Sequence, residues 1–238
     1  PVILRGSFRT TPAISKWFTP FPSKKGVSAF HNLNAEYLSQ NGDTIVPLEL
    51  TRSDSFERFE APLSLLLSHI KSSQDSSTGL YLAQCSLADL PQGLRDDLPT
   101  PALIKRVGRG DIYGSSLWLG RPPTRTPLHR DPNPNIFVQL AGKKVVRLMK
   151  PEQGEWLYQR LRVGDGHSTM RGEEMMVGAE MERLEAAVWR DEGIVDKHVQ
   201  GYEAELGSGD GLFIPLAWWH AVKGFGKGVN ASVNWWFR

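Results

Sequence analysis

Between residues 126 and 137 the chain reads TPLHRDPNPNIF, with one residue separating His129 from Asp131. In an extended segment, side chains two apart share a side, roughly 6 to 7 Å from each other at the backbone. An imidazole nitrogen and a carboxylate oxygen then converge on one point. That donor pair suits Fe(II), Mn or Zn. A histidine and an aspartate in an exposed loop would read the same way, so the pair needs a third donor to mean more. The sequence offers His31, His69, His167, His198 and His220. His220 follows GDGLFIPLAWW, a glycine-rich turn and then an apolar run ending in two tryptophans. Such a run carries the histidine inward. Alone, it reads as a hydrogen-bonded core histidine.

Taken together, His129, Asp131 and His220 form a two-histidine, one-carboxylate set. Such a set leaves three metal positions open, as in non-haem Fe(II) oxygenase sites. A second feature lies just downstream. NIFVQL and KKVVRL flank Ala141-Gly142, which reads as the turn of a hairpin. Gln139 then opposes Lys144 and Leu140 opposes Lys143. Asn135, Phe137 and Gln139 share a face with Lys144, Val146 and Leu148, and Lys143 takes the other face. An ammonium among apolar neighbours calls for an anion, because an unpaired buried charge is costly. A dicarboxylate would supply one. The alternative is a lysine whose stem is buried while its head reaches the rim.

The elements that must hold these residues are mostly strands. DIYGSSLWLG, NIFVQL, KKVVRLM, YEAEL, GLFIPL, HAVKGF and NASVNWWF are seven short strand-like runs broken by turn residues. Many short strands with glycine and proline turns predict a sandwich or barrel. Upstream, PVILRG, TIVPLELT and GLYLAQCSL read as strands, with Pro47 pointing to an edge or a bulge. TPAISKWFTPFPSKKG has room for a short helix only. Leu63, Leu66, Leu67 and Ile70 have helical spacing. Met176, Met181, Leu184 and Val188 mark a helical insertion over about 160–199, whose apolar stripe reads as packing surface. The expected fold is mainly β with flanking helices in a single domain. Residues 1–78 form an N-terminal α/β support and 79–238 the core that carries the insertion.

Composition narrows the function classes. The 238 residues are 40% hydrophobic and 23% charged, with a formal charge of +2. That is globular, and it gives no electrostatic sign of a nucleic-acid partner. Cys85 is the only cysteine, which excludes an internal disulfide and a cysteine-rich zinc cluster. No apolar run reaches the roughly 18 to 20 residues that span a bilayer. No secretory signal is legible after Pro1, and the sequence leaves open what precedes it. An intracellular setting is expected, cytoplasmic or nuclear, with a mitochondrial one left open.

TPLHRDPNPNIFVQLAGKKVVRLMKP, GDGLFIPLAWWHAV and SVNWWF together resemble the JmjC-type 2-oxoglutarate- and Fe(II)-dependent oxygenases. The likeness is to the small JmjC-only hydroxylase group that includes the factor inhibiting HIF. PVILRG and YLAQCSLADLP are similar to that group's first strand and pre-barrel strand. The resemblance is specific from Tyr81 to Leu148 and from Gly209 to Phe237, and leaves out 160–199. It implies a double-stranded β-helix, the cupin jelly roll. It implies His129, Asp131 and His220 as iron ligands, and Lys144, Thr126 and Tyr81 as the clamp on the far carboxylate of 2-oxoglutarate. Asn135 would line the cosubstrate pocket near the metal, and Asn234 and Trp236 would close it.

The activity implied is oxidation of a C–H bond with Fe(II), 2-oxoglutarate and O2, yielding succinate and CO2. A protein or peptide side chain is the first substrate expected. Lysine demethylation ranks lower, because no histone-reading module accompanies the motifs. A tRNA-base hydroxylase ranks lower still, since no basic run with interleaved aromatics supports it. Two other classes stay open, a non-catalytic cupin binding module and a Zn- or Mn-dependent cupin. The cosubstrate clamp weighs against both. A homodimer also stays open, because apolar stripes do not separate dimerisation from internal packing.

Overall fold

The computed structural model describes residues 1–21, 30–52, 55–72, 78–161, 178–189 and 200–238. The strands are β1 (Val2–Leu4), β2 (Phe18–Pro20), β3 (His31–Leu33), β4 (Ile45–Arg52), β5 (Ser55–Pro62), β6 (Gly79–Ser86) and β7 (Ile112–Gly120). They continue with β8 (Thr124–Arg130), β9 (Asn135–Ala141), β10 (Lys143–Met149), β11 (Gly201–Leu206), β12 (Gly211–Ile214), β13 (Trp219–Phe225) and β14 (Asn230–Phe237). The helices are α1 (Pro12–Trp17), α2 (Ala35–Ser39), α3 (Leu63–Ser72), α4 (Gln92–Asp96), α5 (Ile104–Val107), α6 (Pro151–Leu161) and α7 (Ala179–Trp189).

Two antiparallel sheets face each other as a cupin jelly roll. The larger has the order β1-β12-β9-β14-β7-β6-β4-β5, and the smaller β11-β10-β13-β8. Apolar contacts between them join Phe137, Leu212 and Ile214 of the large sheet to Val146, Leu148 and Val222 of the small one. This inner cluster is modest. The main core lies behind the large sheet, where Leu66, Leu94 and Ile104 from the helices pack on Leu82, Val138 and Trp235. Strand β9 is buried at every position because both its faces are covered.

The hairpin expected over 135–148 is not there. β9 pairs with β12 and β14, whereas β10 pairs with β11 and β13. Gly142, at φ +70°, is a corner where the chain leaves one sheet for the other. Lys144 still faces inward, because β10 alternates and its inward side meets the large sheet. Lys143 faces outward and pairs with Glu205 at 2.6 Å. Pro47 is on neither an edge strand nor a bulge. β4 pairs on both sides, and Pro47 lies just beyond the stretch hydrogen-bonded to β6, so its missing N–H costs no bond there.

The expected helical stripe of the insertion packs internally. Met176 lies outside the described residues. Met181, Leu184 and Val188 are buried, and α7 with α6 covers Leu128, Met149 and Trp219 on the outer face of the small sheet. No helix among the described residues is long and apolar enough to cross a membrane. The approach of α6 to β13 depends on Gly154, where a Cβ would overlap the Trp219 ring. Gly154→Ala is therefore expected to cost about 1 to 3 kcal/mol of stability, the range for overpacking a buried contact. Urea unfolding would check this.

Candidate metal centre

β8 and β13 are paired so that His129 lies opposite His220. The two rings are 4.1 Å apart between centroids. Asp131 follows immediately after β8, its carboxylate 3.9 Å from Nε2 of His129 and 3.6 Å from Nε2 of His220. The ligand atoms of all three residues lie within 4.8 Å of one another. Nδ1 of His129 is 2.8 Å from the Pro127 carbonyl, and Nδ1 of His220 is 3.2 Å from that of Trp218. Carbonyls only accept, so the rings carry their protons at Nδ1. Both Nε2 lone pairs are then free to face the shared centre.

The local chain path explains the arrangement. His220 opposes His129 and Val222 opposes Thr126, so three steps along β8 match two along β13. The extra residue is a bulge at Pro127–Leu128. Leu128 turns out to the α6–α7 cluster, while Thr126 and His129, an odd number apart, both face inward. Strict alternation would have put them on opposite faces.

Electrostatics hold Asp131 and His220 in their ligating protonation states. Burial opposes ionisation of Asp131, but the His220 and His129 charges and the Asn135 amide outweigh it, and its pKa falls below the usual value. Asn135 Nδ2 donates to Asp131 Oδ2 at 3.0 Å. Burial, with the neighbouring His129 charge, pushes His220 down to about 4, against the pull of Asp131. A neutral imidazole beside an ionised carboxylate is what a divalent cation binds. Two buried polar atoms next to Asp131 lack an aligned protein partner, Asn135 Oδ1 and Trp236 Nε1. The Trp236 indole lies near enough to lower the Asp131 pKa without being aligned for a hydrogen bond.

Deeper between the sheets, Lys144 is 3% exposed. Its ammonium donates to Ser232 Oγ at 2.7 Å and to Tyr81 Oη at 3.2 Å, and lies 5.4 Å from the centre of the Phe137 ring. Both partners are uncharged. Among the described residues no carboxylate pairs with it, and burial pulls its pKa down to about 7. Tyr81 is raised by burial and then by the Glu49 charge, and Thr124 hydrogen-bonds it. Gly120 opposes Tyr81 on β7, where a side chain would run into the ring. An orphaned ammonium and a histidine–aspartate–histidine cluster thus share one interior. The residues present fit Fe(II) and a small dicarboxylate.

The other expected residues are distributed around this axis. Thr126 faces inward opposite Val222, with no hydrogen bond from its hydroxyl to Lys144 or Tyr81. Asn135 orients Asp131. Asn234 accepts from Trp118 Nε1 at 2.7 Å, and Trp236 lies opposite Asn135 on β14. Ser232 and Thr124 were not singled out by sequence. Ser232 was within reach, because 232, 234 and 236 share one strand face. Of the rejected histidines, His31 accepts from Gly142 N at 3.2 Å, His69 is on α3, and His167 and His198 lie outside the described residues.

A family of cupin-like domains matches residues 1–238. The chain belongs to that family. The match runs through 160–199 as well, the segment that the resemblance left out. Lysine-specific demethylase JMJ30 of Arabidopsis thaliana is 28% identical over 242 residues, covering 99% of this chain and 49% of that protein. Jumonji C domain-containing protein 5 of Drosophila melanogaster is 28% identical over 250 residues, 100% of this chain and 54% of that protein. Lysine-specific demethylase 8 of Danio rerio is 28% identical, covering 99% and 53%. The chain spans about half the length of these curated relatives.

Because burial pulls the Lys144 pKa down to about 7, a dicarboxylate bound beside it would have to keep it protonated. The sign follows: affinity is full below pH 7 and weakens above it. Between pH 6.5 and 8.5 the apparent 2-oxoglutarate affinity is expected to fall about tenfold or more. Calorimetry across that range would measure it, and Lys144→Arg should flatten the profile.

Proposed function

We propose that this cupin-like domain is a 2-oxoglutarate- and Fe(II)-dependent oxygenase that hydroxylates a protein side chain. The observation that carries this reading is the pairing of a ligand triad with a buried ammonium that has no anion of its own. His129, Asp131 and His220 hold the metal. Lys144, with Ser232 and Tyr81 fixed around it, receives the far carboxylate, where charge-assisted hydrogen bonds give orientation as well as affinity. Thr126 and Asn234 line the same space, and Asn135 keeps the Asp131 carboxylate turned toward the centre. The separation suits a short diacid. Lys144 and Leu148, the β10 residue opposite His220, are four steps apart, about 13 Å along the strand. A lysine side chain and a five-carbon diacid together span that length. When bound, iron with 2-oxoglutarate and O2 supplies the oxidising power: the substrate C–H becomes C–OH, and the cosubstrate leaves as succinate and CO2. Phe137 and Trp236 help exclude water from this space.

A second reading is removal of an N-methyl group from lysine, which is favoured by the names of two relatives. Oxidation there begins at the methyl carbon and releases formaldehyde. Product analysis separates the two, a gain of 16 Da against a loss of 14 Da with formaldehyde.

His129→Ala and Asp131→Ala are expected to reduce iron-dependent succinate formation to background while leaving the melting temperature nearly unchanged. Normal succinate output from either variant would remove the ligand assignment. Lys144→Ala should raise the 2-oxoglutarate requirement by about tenfold or more, the scale of a lost charge-assisted bond. Lys143→Ala, which loses only an outer ion pair with Glu205, should change it little. Initial rates over a range of cosubstrate concentration would decide.

A further inference from the structure

The inner face of the small sheet carries one line of residues in direct register. Tyr202 on β11 opposes Leu148 on β10, Leu148 opposes His220 on β13, and His220 opposes His129 on β8. Tyr202 thus stands two strand spacings from His220, about 10 Å. Along β11, Ala204 and Leu206 are buried while Glu203 and Glu205 are exposed, so Tyr202 takes the inward side. It is nevertheless 44% exposed, because β11 is the edge strand of the small sheet. Its ring is 5.6 Å from that of Trp218, tilted by 54°. Trp218 rests on the apolar cluster between the sheets, two residues before His220.

Elsewhere, aromatic rings at the surface carry a cation of the chain's own. Lys143 lies 5.9 Å over Phe225, Arg160 5.2 Å over Trp156, and Arg238 5.6 Å over Tyr113. Among the described residues, no cation lies over Tyr202 or Trp218. Two electron-rich faces, held at a fixed tilt beside the centre, attract a positive side chain and repel a carboxylate. Three residues of extended peptide also span about 10 Å, the distance from Tyr202 to His220.

We propose that Tyr202 and Trp218 receive a lysine or arginine side chain of the substrate, two or three residues from the one that is oxidised. The proposal rests on the reading of the substrate as a polypeptide. The rings give a flanking position its charge preference, and they take no part in the oxidation itself.

The test binds fluorescein-labelled peptide pools under argon to protein loaded with Fe(II) and 2-oxoglutarate, read by polarisation. Each pool fixes lysine, arginine, norleucine or glutamate at one position. Lysine and arginine pools are expected to bind several-fold more tightly than norleucine pools, and glutamate pools least. Tyr202→Leu and Trp218→Leu should erase the preference, and Tyr202→Phe, which keeps the ring, should retain it. If Trp218→Leu fails to fold, the exposed Tyr202 site still decides. Equal binding of lysine and norleucine pools, no binding of any pool, or a preference that survives Tyr202→Leu overturns the proposal. Admitting O2 and measuring succinate judges the oxygenase reading separately. A wild type that makes none sinks that reading, whatever the pools show about the rings.

Discussion

Asp131 and Lys144 are enclosed by the same two sheets, yet they do not neutralise each other. Asp131 leans on two imidazoles and an amide, and Lys144 on two hydroxyls. A buried charge without a counter-charge costs more than uncharged hydrogen bonds return. The fold holds them at two ends of the space between the sheets, and each end calls for a partner of opposite sign. A divalent cation suits one end and a carboxylate the other. A single small molecule that ligates the first and reaches the second joins both requirements. Burial, with no opposite charge to offset it, pulls the Lys144 pKa down to about 7.

The outward neighbours of the site matter as much as its contents. Trp219 and His220 are consecutive on β13, so one faces out when the other faces in. Trp219 is fully buried beneath α6, its ring 5.2 Å from that of Tyr158 at a 35° tilt and covered by Arg130. Leu128, next to His129, packs in the same cluster. Both histidines are therefore clamped from behind by side chains that cannot move without opening the α6–α7 layer. The bulge at Pro127–Leu128 makes this compatible with pairing. It lets β8 send Leu128 to the back while Thr126 and His129 stay in front.

Much of this was legible in the sequence, because alternation within a strand encodes which way a side chain points. His129 with Asp131, His220 after its apolar run, and Lys144 against Lys143 all follow from that rule. What local pattern does not encode is the partner strand. Gly142 with positive φ serves a hairpin and a corner between sheets equally well, and only the long-range pairing of β9 with β12 and β14 distinguishes them. β8 itself was not read as a strand, since two threonines, a proline and charged residues hide its apolar face. Helix α6 was missed for a related reason. Its mean character is polar, and only Gly154, Leu157 and Tyr158 are buried. Ser232 and Thr124 are short hydroxyl residues, and nothing short of the assembled interior shows that an ammonium and a phenol end beside them.

The register across the small sheet also links the chemistry to what lies outside it. One row of paired residues contains both imidazoles, then Leu148, then Tyr202. Because hydrogen bonds lock that row, the spacing between the metal end and the aromatic edge is set by the 4.7 to 4.9 Å strand repeat and not by a loop. A site built on strands holds such distances more firmly than one built on loops. A slip of one residue in the β10–β11 pairing would turn Tyr202 outward and bring a glutamate or glycine inward, while the triad on β8 and β13 stayed intact. The β11 edge can thus vary without disturbing His129, Asp131, His220 or Lys144.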